Sequence, residues 1–110
     1  MDSILTSIKR LLGIQEDYDH FDPEIIVHIN SVFMILNQLG VGPDEPFTIE
    51  DETSKWNDFL TDGKEIKLVE SYMYLRVRLL FDPPSNSFLV NSMEKQIEEF
   101  EFRQIVQTEK

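Results

Sequence analysis

The sequence contains no cysteine and no long uninterrupted run of apolar residues. Without cysteine, neither a disulfide framework nor a thiolate metal site is available. The longest apolar run, Val32 to Leu36, is far shorter than the roughly 20 residues that a membrane-spanning helix needs. Charged residues such as Lys9 and Arg10 interrupt the first segment, which therefore lacks the continuous apolar core of a secretory signal. We expect synthesis in the cytoplasm and no membrane partner.

Basic residues are also scarce. The chain has 10 lysines and arginines against 21 aspartates and glutamates, which gives a formal net charge of −11. Such a surface repels phosphate backbones, so ordinary nucleic-acid binding is disfavoured. The charge fits either simple solubility or a surface that lies beside DNA without binding it.

The 110 residues nevertheless contain enough apolar material for one core. Hydrophobic residues make up 41% of the chain, and they include eight phenylalanines, three tyrosines and one tryptophan. This content argues against disorder, and the length leaves no room for a second core. We expect a single domain over residues 1–110.

Two amphipathic helices are predicted before the middle of the chain. The first ends at Gly13, and its apolar residues recur at helical spacing: Ile4, Leu5, Ile8, Leu11 and Leu12. For the second, Asp22 is the predicted N-cap, Pro23 suits the first helical position and Gly40 provides the stop. Its apolar stripe comprises Ile25, Ile29, Val32, Leu36 and Leu39.

Residues 41–55 are predicted to form a long acidic loop. Gly42, Pro43 and Pro46 interrupt regular structure, and five acidic residues lie between Asp44 and Glu52. Because this segment offers little apolar area, we expect it to be mobile in the isolated protein. The spacing of Trp56, Phe59 and Leu60 then predicts one or two helical turns.

The C-terminal part is predicted to be a helical hairpin. Asp62 and Glu65 resemble a capping box at the start of a helix over residues 63–81. Pro83 and Pro84 end that helix, and a last helix covers residues 87–106. The fold class is therefore all-α: a small bundle of four to five helices with one long acidic loop. The apolar stripe of residues 63–81 is assigned to Leu68, Tyr72, Leu75 and Leu79, and it is broadened by Ile66, Val69, Met73 and Leu80. The expected core includes Ile29, Phe33, Leu36, Leu75 and Leu79.

The sequence offers no convincing catalytic, cofactor or metal site. His20, Glu24 and His28 are spaced by four, but the predicted helix start at Asp22 separates His20 from the other two. Three carboxylates of the last helix are expected to be solvated: Glu94, Glu98 and Glu101. We therefore expect a protein that is not an enzyme and needs no cofactor.

Six side chains are candidates for contacts with other chains: Tyr74, Arg76, Arg78, Phe88, Phe102 and Val106. A bundle this small cannot bury every face of its helices, and the aromatic and aliphatic members lie off the main apolar stripes. Arginine and tyrosine are favoured at protein interfaces. For Arg76 and Arg78 an alternative is equally good, because cations also stabilise the negative end of a helix.

Four segments in this order resemble one known family. They are Ile4-Leu-Thr-Ser-Ile-Lys-Arg-Leu-Leu-Gly13, residues 22–42, Trp56-Asn-Asp-Phe59, and residues 74–84 with their Asp-Pro-Pro ending. Together they are similar to the small head-tail connector proteins, or head-completion adaptors, of long-tailed bacteriophages. Each segment alone is a packing motif, and their ordered combination over nearly the whole chain carries the resemblance.

The resemblance implies a helical bundle with no catalytic residues and a place in the virion. Such proteins assemble as a ring, twelve-fold in the virion, below the portal protein, and they present a platform for a tail-side connector or stopper protein. DNA would pass through the ring without specific binding, and the protein would be made in the host bacterial cytoplasm. The alternative is a small acidic regulatory protein that mimics DNA or binds a basic partner.

Overall fold

The computed structural model describes residues 3–108, which form five helices and no named strand. The helices are α1 (Ile4–Leu12), α2 (Asp22–Gln38), α3 (Trp56–Phe59), α4 (Gly63–Phe81) and α5 (Ser87–Thr108). An isolated antiparallel bridge joins Ser3 to Lys55. The predicted all-α class and the C-terminal hairpin are confirmed.

Local side-chain chemistry sets most helix ends. Gly13 ends α1 in the left-handed conformation, at φ 81°. The Asp62 carboxylate accepts hydrogen bonds from the first backbone amides of α4, and Asn86 Oδ1 accepts one from Phe88 N at 2.8 Å. The prediction of Asp22 as N-cap was wrong, because Asp22 is the first residue of α2 and its carboxylate pairs with Lys9 instead.

Lys9 is an unusual member of the core, since it is a charged side chain only 2% exposed. Its ammonium group lies 2.9 Å from Asp22 Oδ1 and donates a hydrogen bond to the carbonyl oxygen of Glu16 at 3.0 Å. A buried charge is tolerated only when it is paired and hydrogen-bonded in this way. The contacts fix the acidic segment between α1 and α2 against both helices.

Helix α2 lies at the centre of the bundle and packs against α1 and α4. Its fully buried residues are Ile25, Ile29, Val32, Phe33 and Leu36. The predicted burial of Ile29, Phe33 and Leu36 is therefore confirmed. Trp56 of α3 joins the same core, and its indole Nε1 donates a hydrogen bond to Ser7 Oγ at 2.8 Å.

Helix α4 carries two apolar stripes rather than one. The stripe that enters the main core comprises Ile66, Val69, Met73 and Val77. Leu75 and Leu79 are partly buried rather than fully buried, and Leu68 is 52% exposed. At 100° per residue the two stripes lie roughly 135° apart around the helix. The stripe predicted from the sequence is the one on the side of α5, which covers it incompletely.

The acidic loop is held down more firmly than its composition predicts. Asn30 Nδ2 donates to the Ile49 carbonyl at 3.0 Å, and Ile49 N donates to Asn30 Oδ1 at 2.8 Å. Ile49 is 2% exposed, and the Phe47 ring lies 5.1 Å from Phe33 and 5.3 Å from Phe59. The expected lack of apolar anchoring was therefore wrong. The side chains of Phe47 and Ile49 pack against the core. The side-chain amide of Asn30 forms the two backbone hydrogen bonds that a neighbouring strand would otherwise provide.

Gly42 begins the loop at a point of close approach. Its φ is +90°, and a Cβ added there would lie 2.4 Å from a ring carbon of Phe59. Both the backbone angle and the lack of space require glycine at this position. The loop can therefore leave α2 while α3 packs directly beneath it.

Candidate assembly surface

Helix α5 has one buried face and one exposed face. Met93 and Ile97 are buried at 4% and 6% exposure, whereas Phe88 is 86% exposed and Phe102 is 65% exposed. At 100° per residue, Phe88, Phe102 and Val106 lie within about 40° of one another and opposite Ile97. We call these three residues the outer α5 face. Leu89 and Ile105, both nearly half exposed, flank it.

Two exposed phenylalanine rings lie on the same face of α5, about 21 Å apart along the helix. Single exposed apolar residues are common on monomers, but an aligned set on one helix favours a contact with another chain. Lys95 and Glu99 lie between the rings on the same face and are exposed. The outer α5 face therefore carries an apolar side chain near each end and charged side chains between them.

The opposite side of α5 is tied to α4 by a polar triad. The Tyr72 hydroxyl donates to Glu101 Oε2 at 2.6 Å, and Arg76 Nε donates to the Tyr72 hydroxyl at 2.7 Å. Arg76 also forms an ion pair with Glu101, and the Tyr72 ring stacks on Phe100 with centroids 4.3 Å apart. Glu101 was expected to be solvated, and that prediction was wrong.

The triad changes the acid–base properties of its members. Burial, followed by the hydrogen bond to Glu101, raises the pKa of Tyr72 well above its usual range. Burial opposes the charge of Arg76, but its hydrogen bonds to Glu101 and Tyr72 outweigh this and raise the pKa of Arg76. Tyr72 is therefore neutral and Arg76 charged at every physiological pH.

The six candidate interface residues fall into two groups. Phe88, Phe102 and Val106 form the outer α5 face described above. Tyr74, Arg76 and Arg78 are partly buried on α4 and take part in contacts within the chain. Arg78 donates to the Tyr74 hydroxyl and to the Asp82 carbonyl, both at 3.1 Å, so it helps to close the end of α4.

A groove of about 370 Å³ lies between α4 and the C-terminal half of α5. Its apolar lining includes Leu68, Leu75 and Phe100, and its polar lining includes Gln104 and Arg103. Sequence reasoning missed this groove, because it placed Leu68 and Leu75 in the core stripe. A second set of apolar residues on α4, spaced by three and four from Ile66 to Val77, could have indicated that this helix has two apolar faces.

Exposed apolar residues also occur on α2, and the candidate interface residues named from the sequence did not include them. Val27 is 61% exposed and Met34 is 47% exposed. They are seven residues apart and so lie on one face of the helix. The near-continuous apolar composition of α2 could have indicated this second unpartnered surface.

Other kinds of site find no support in the part of the chain that is described. Among residues 3–108, no group of three or more histidine or acidic side chains is placed to hold a metal ion. His20 lies in the turn before α2 rather than on its helical face. None of the helices within that range is long and apolar enough to cross a membrane.

The fold and this surface define a small all-helical bundle protein with an open apolar helix face. The chain belongs to the phage connector protein family, whose model matches residues 4–110. The predicted resemblance to head-tail connectors is thus confirmed over essentially the whole chain. A search of curated proteins gave no match. A search of solved structures gave none either.

Family membership gives the coarse biological role. It indicates a structural component of a bacteriophage virion that acts at the connection between head and tail. The family is typically non-enzymatic and suggests oligomeric assembly with other virion proteins.

Proposed function

We propose that this protein assembles as a ring below the portal, joins the DNA-filled head to the tail and leaves a passage for DNA. The observation that carries the proposal is the outer α5 face, which exposes Phe88 and Phe102 in a chain of the connector family. Its partners in this role are further copies of itself, the portal protein and a tail-side connector or stopper protein.

A ring needs two different surfaces on each copy. A contact between unlike surfaces repeats around an axis and closes into a ring when the rotation fits, whereas a contact between like surfaces stops at a dimer. Helix α5 offers one convex apolar surface, the outer α5 face, and borders a concave one, the α4–α5 groove. In the proposed ring, the outer α5 face of one copy packs into the groove of the next.

The electrostatics are consistent with a DNA passage. Tight binding to a duplex requires many lysine or arginine contacts to phosphates, and this chain carries −11 overall. An acidic ring would let DNA move through without holding it. The same charge requires apolar contacts between copies to overcome mutual repulsion.

The test is electron microscopy of the protein alone and mixed with its portal. Wild-type protein should form rings, and these should sit coaxially on the portal. Changing Phe88→Ser together with Phe102→Ser should abolish rings while circular dichroism stays helical, because both side chains are exposed. Val27→Ser is the control, since it removes from α2 an apolar side chain that is 61% exposed, close to the 65% of Phe102.

Rings that persist in the double variant, or that disappear equally in the Val27→Ser control, would contradict the assigned interface. A protein that stays monomeric, ignores the portal and competes with DNA for a basic protein would contradict the ring proposal and favour the DNA-mimic alternative.

A further inference from the structure

A cluster of aromatic rings lies at the entrance of α2, away from α5 in sequence. Phe21 is at its centre, with ring centroids 5.7 Å from Tyr18, 5.0 Å from His20 and 5.2 Å from Phe81. The three contacts have interplanar angles of 61° to 74°, the edge-to-face geometry that aromatic pairs prefer. We call these four residues the aromatic end.

The aromatic end is ordered without being buried. Tyr18 is 49% exposed and Phe21 is 38% exposed, and the adjacent Leu80 is 54% exposed. Of the four rings, Phe81 packs against the main core, whereas the others are exposed. Rings held by one another at the surface keep their faces available to another molecule.

Three exposed carboxylates are direct chain neighbours of these rings. Asp17 and Asp19 flank Tyr18 in the chain, Asp82 follows Phe81, and all three are exposed. Asp17 and Asp19 also line an adjacent groove of about 340 Å³. Lys9, Asp22 and Glu52 also line this groove. Its lysine is buried and paired with Asp22, so its charge is already compensated.

We propose that the aromatic end receives an arginine-bearing segment of a partner protein. A guanidinium group is the one side chain that suits both features, because it stacks on aromatic faces and donates paired hydrogen bonds to carboxylates. A purely apolar segment would have to desolvate the flanking carboxylates without pairing them. A phosphate-bearing ligand would be repelled by them.

This inference goes beyond the proposed ring. The ring contact uses α5 and the groove beside α4, whereas the aromatic end consists of the α1–α2 segment and the last residue of α4. Either interaction can therefore exist without the other. On a ring, the aromatic end would give each copy one recognition point for a neighbouring component.

Isothermal titration calorimetry with the full-length protein tests the proposal. The probe is a short capped peptide that alternates arginine and glycine, and the comparison probe has lysine in place of arginine. Wild-type protein should bind the arginine peptide at physiological salt, and several-fold more tightly than the lysine peptide. Tyr18→Ala should weaken binding about two- to fivefold, the loss of one cation–π contact at an exposed site.

Matched variants distinguish peptide binding at the aromatic end from general electrostatic attraction of the peptide to an acidic protein. Asp17→Asn with Asp19→Asn should weaken binding, whereas Glu94→Gln with Glu98→Gln makes the same change of net charge on α5 and should not. Phe88→Ala should also leave binding unchanged, although it removes a more exposed ring.

No binding of the arginine peptide by the wild type, equal binding of the lysine peptide, or equal weakening by the α5 control would each overturn the proposal. Electron microscopy of the Tyr18→Ala variant distinguishes failure of this proposal from failure of the proposed ring. Intact rings with weakened peptide binding support the aromatic end as a separate site, and lost rings with unchanged peptide binding would contradict it.

Discussion

Tyr72 joins α4 to α5 through both parts of its side chain. Its ring stacks on Phe100, and its hydroxyl connects Arg76 to Glu101. The residue is 1% exposed, so its hydroxyl has no water to replace these partners. The aromatic half of the contact supplies apolar burial, and the polar half fixes how α5 lies against α4.

The raised pKa of Tyr72 makes the stability of this contact depend on alkaline pH. The pKa in the folded protein is higher than the ordinary value of 10.0, so folding favours the neutral phenol. The stabilisation is complete below pH 10.0 and is lost as pH rises above it toward the folded-state pKa. From about pH 9 to about pH 11, wild type should lose about 1 kcal/mol more unfolding free energy than Tyr72→Phe.

Urea unfolding at each pH measures this difference. The same slope in Tyr72→Phe and wild type would show that the Tyr72 hydroxyl is not held in the buried environment beside Glu101 in the folded state.

At the scale of elements, the loop over residues 41–55 is the clearest case in which one side chain organises a segment. Asn30 supplies both a donor and an acceptor to Ile49, as a neighbouring strand would. We expect the Ile49 amide to exchange slowly with solvent, unlike that of the exposed Glu45.

Asn30→Ala should release this anchor. Two side-chain to backbone hydrogen bonds are lost at net values near 1 kcal/mol each, so exchange at the Ile49 amide should accelerate about tenfold or more. Hydrogen exchange followed by nuclear magnetic resonance measures it, with Asn37→Ala as control because Asn37 holds the loop at Asp44 instead. Unchanged exchange at Ile49 would mean that apolar packing alone holds the segment.

The elements that could be predicted from the sequence are those with strong local signals. Gly13, Asp62 and the Asp82-Pro83-Pro84 run mark helix ends by backbone chemistry alone, and the structure has helix boundaries there. The α4 stripe was misassigned because two stripes of equal quality exist, and only the position of α2 decides between them. Long-range pairs such as Asn30 with Ile49, or Tyr72 with Glu101, leave no local pattern in the sequence.

The candidate site was predictable to the same extent. Phe88 and Phe102 could be identified as surface residues because the helical period of α5 places them opposite Ile97. Arg76 could not be assigned, since its partner Glu101 is 25 residues away in the chain and belongs to another helix. The α4–α5 groove likewise depends on the distance between two helices.

As a whole molecule, the protein is flat, with extents of 43 × 35 × 21 Å. Each copy carries a net charge of −11, so neighbouring copies repel one another through solvent. Salt screens this repulsion, whereas it would not weaken the apolar contacts through α5 that the proposed ring requires. Assembly should therefore strengthen as salt rises.

Raising the salt from about 0.01 M to about 0.15 M shortens the Debye length from roughly 30 Å to roughly 8 Å. Over this range, sedimentation velocity should show a shift from single copies toward rings. The variant with Phe88→Ser and Phe102→Ser should sediment as single copies at both salt concentrations. Rings that dissociate as salt is added would show that ion pairs rather than apolar contacts hold the copies together.

The position of the single tryptophan has a practical consequence. Trp56 is 2% exposed, and its indole donates a hydrogen bond to Ser7 inside the core. It lies in α3, outside both the α4–α5 hairpin and the aromatic end. Its emission should therefore shift when the chain unfolds and stay constant when copies associate or a peptide binds. Tryptophan emission can therefore be used to check the fold of each variant. A variant that no longer assembles but keeps the wild-type emission has a damaged interface. A variant whose emission is shifted to the red has a damaged fold.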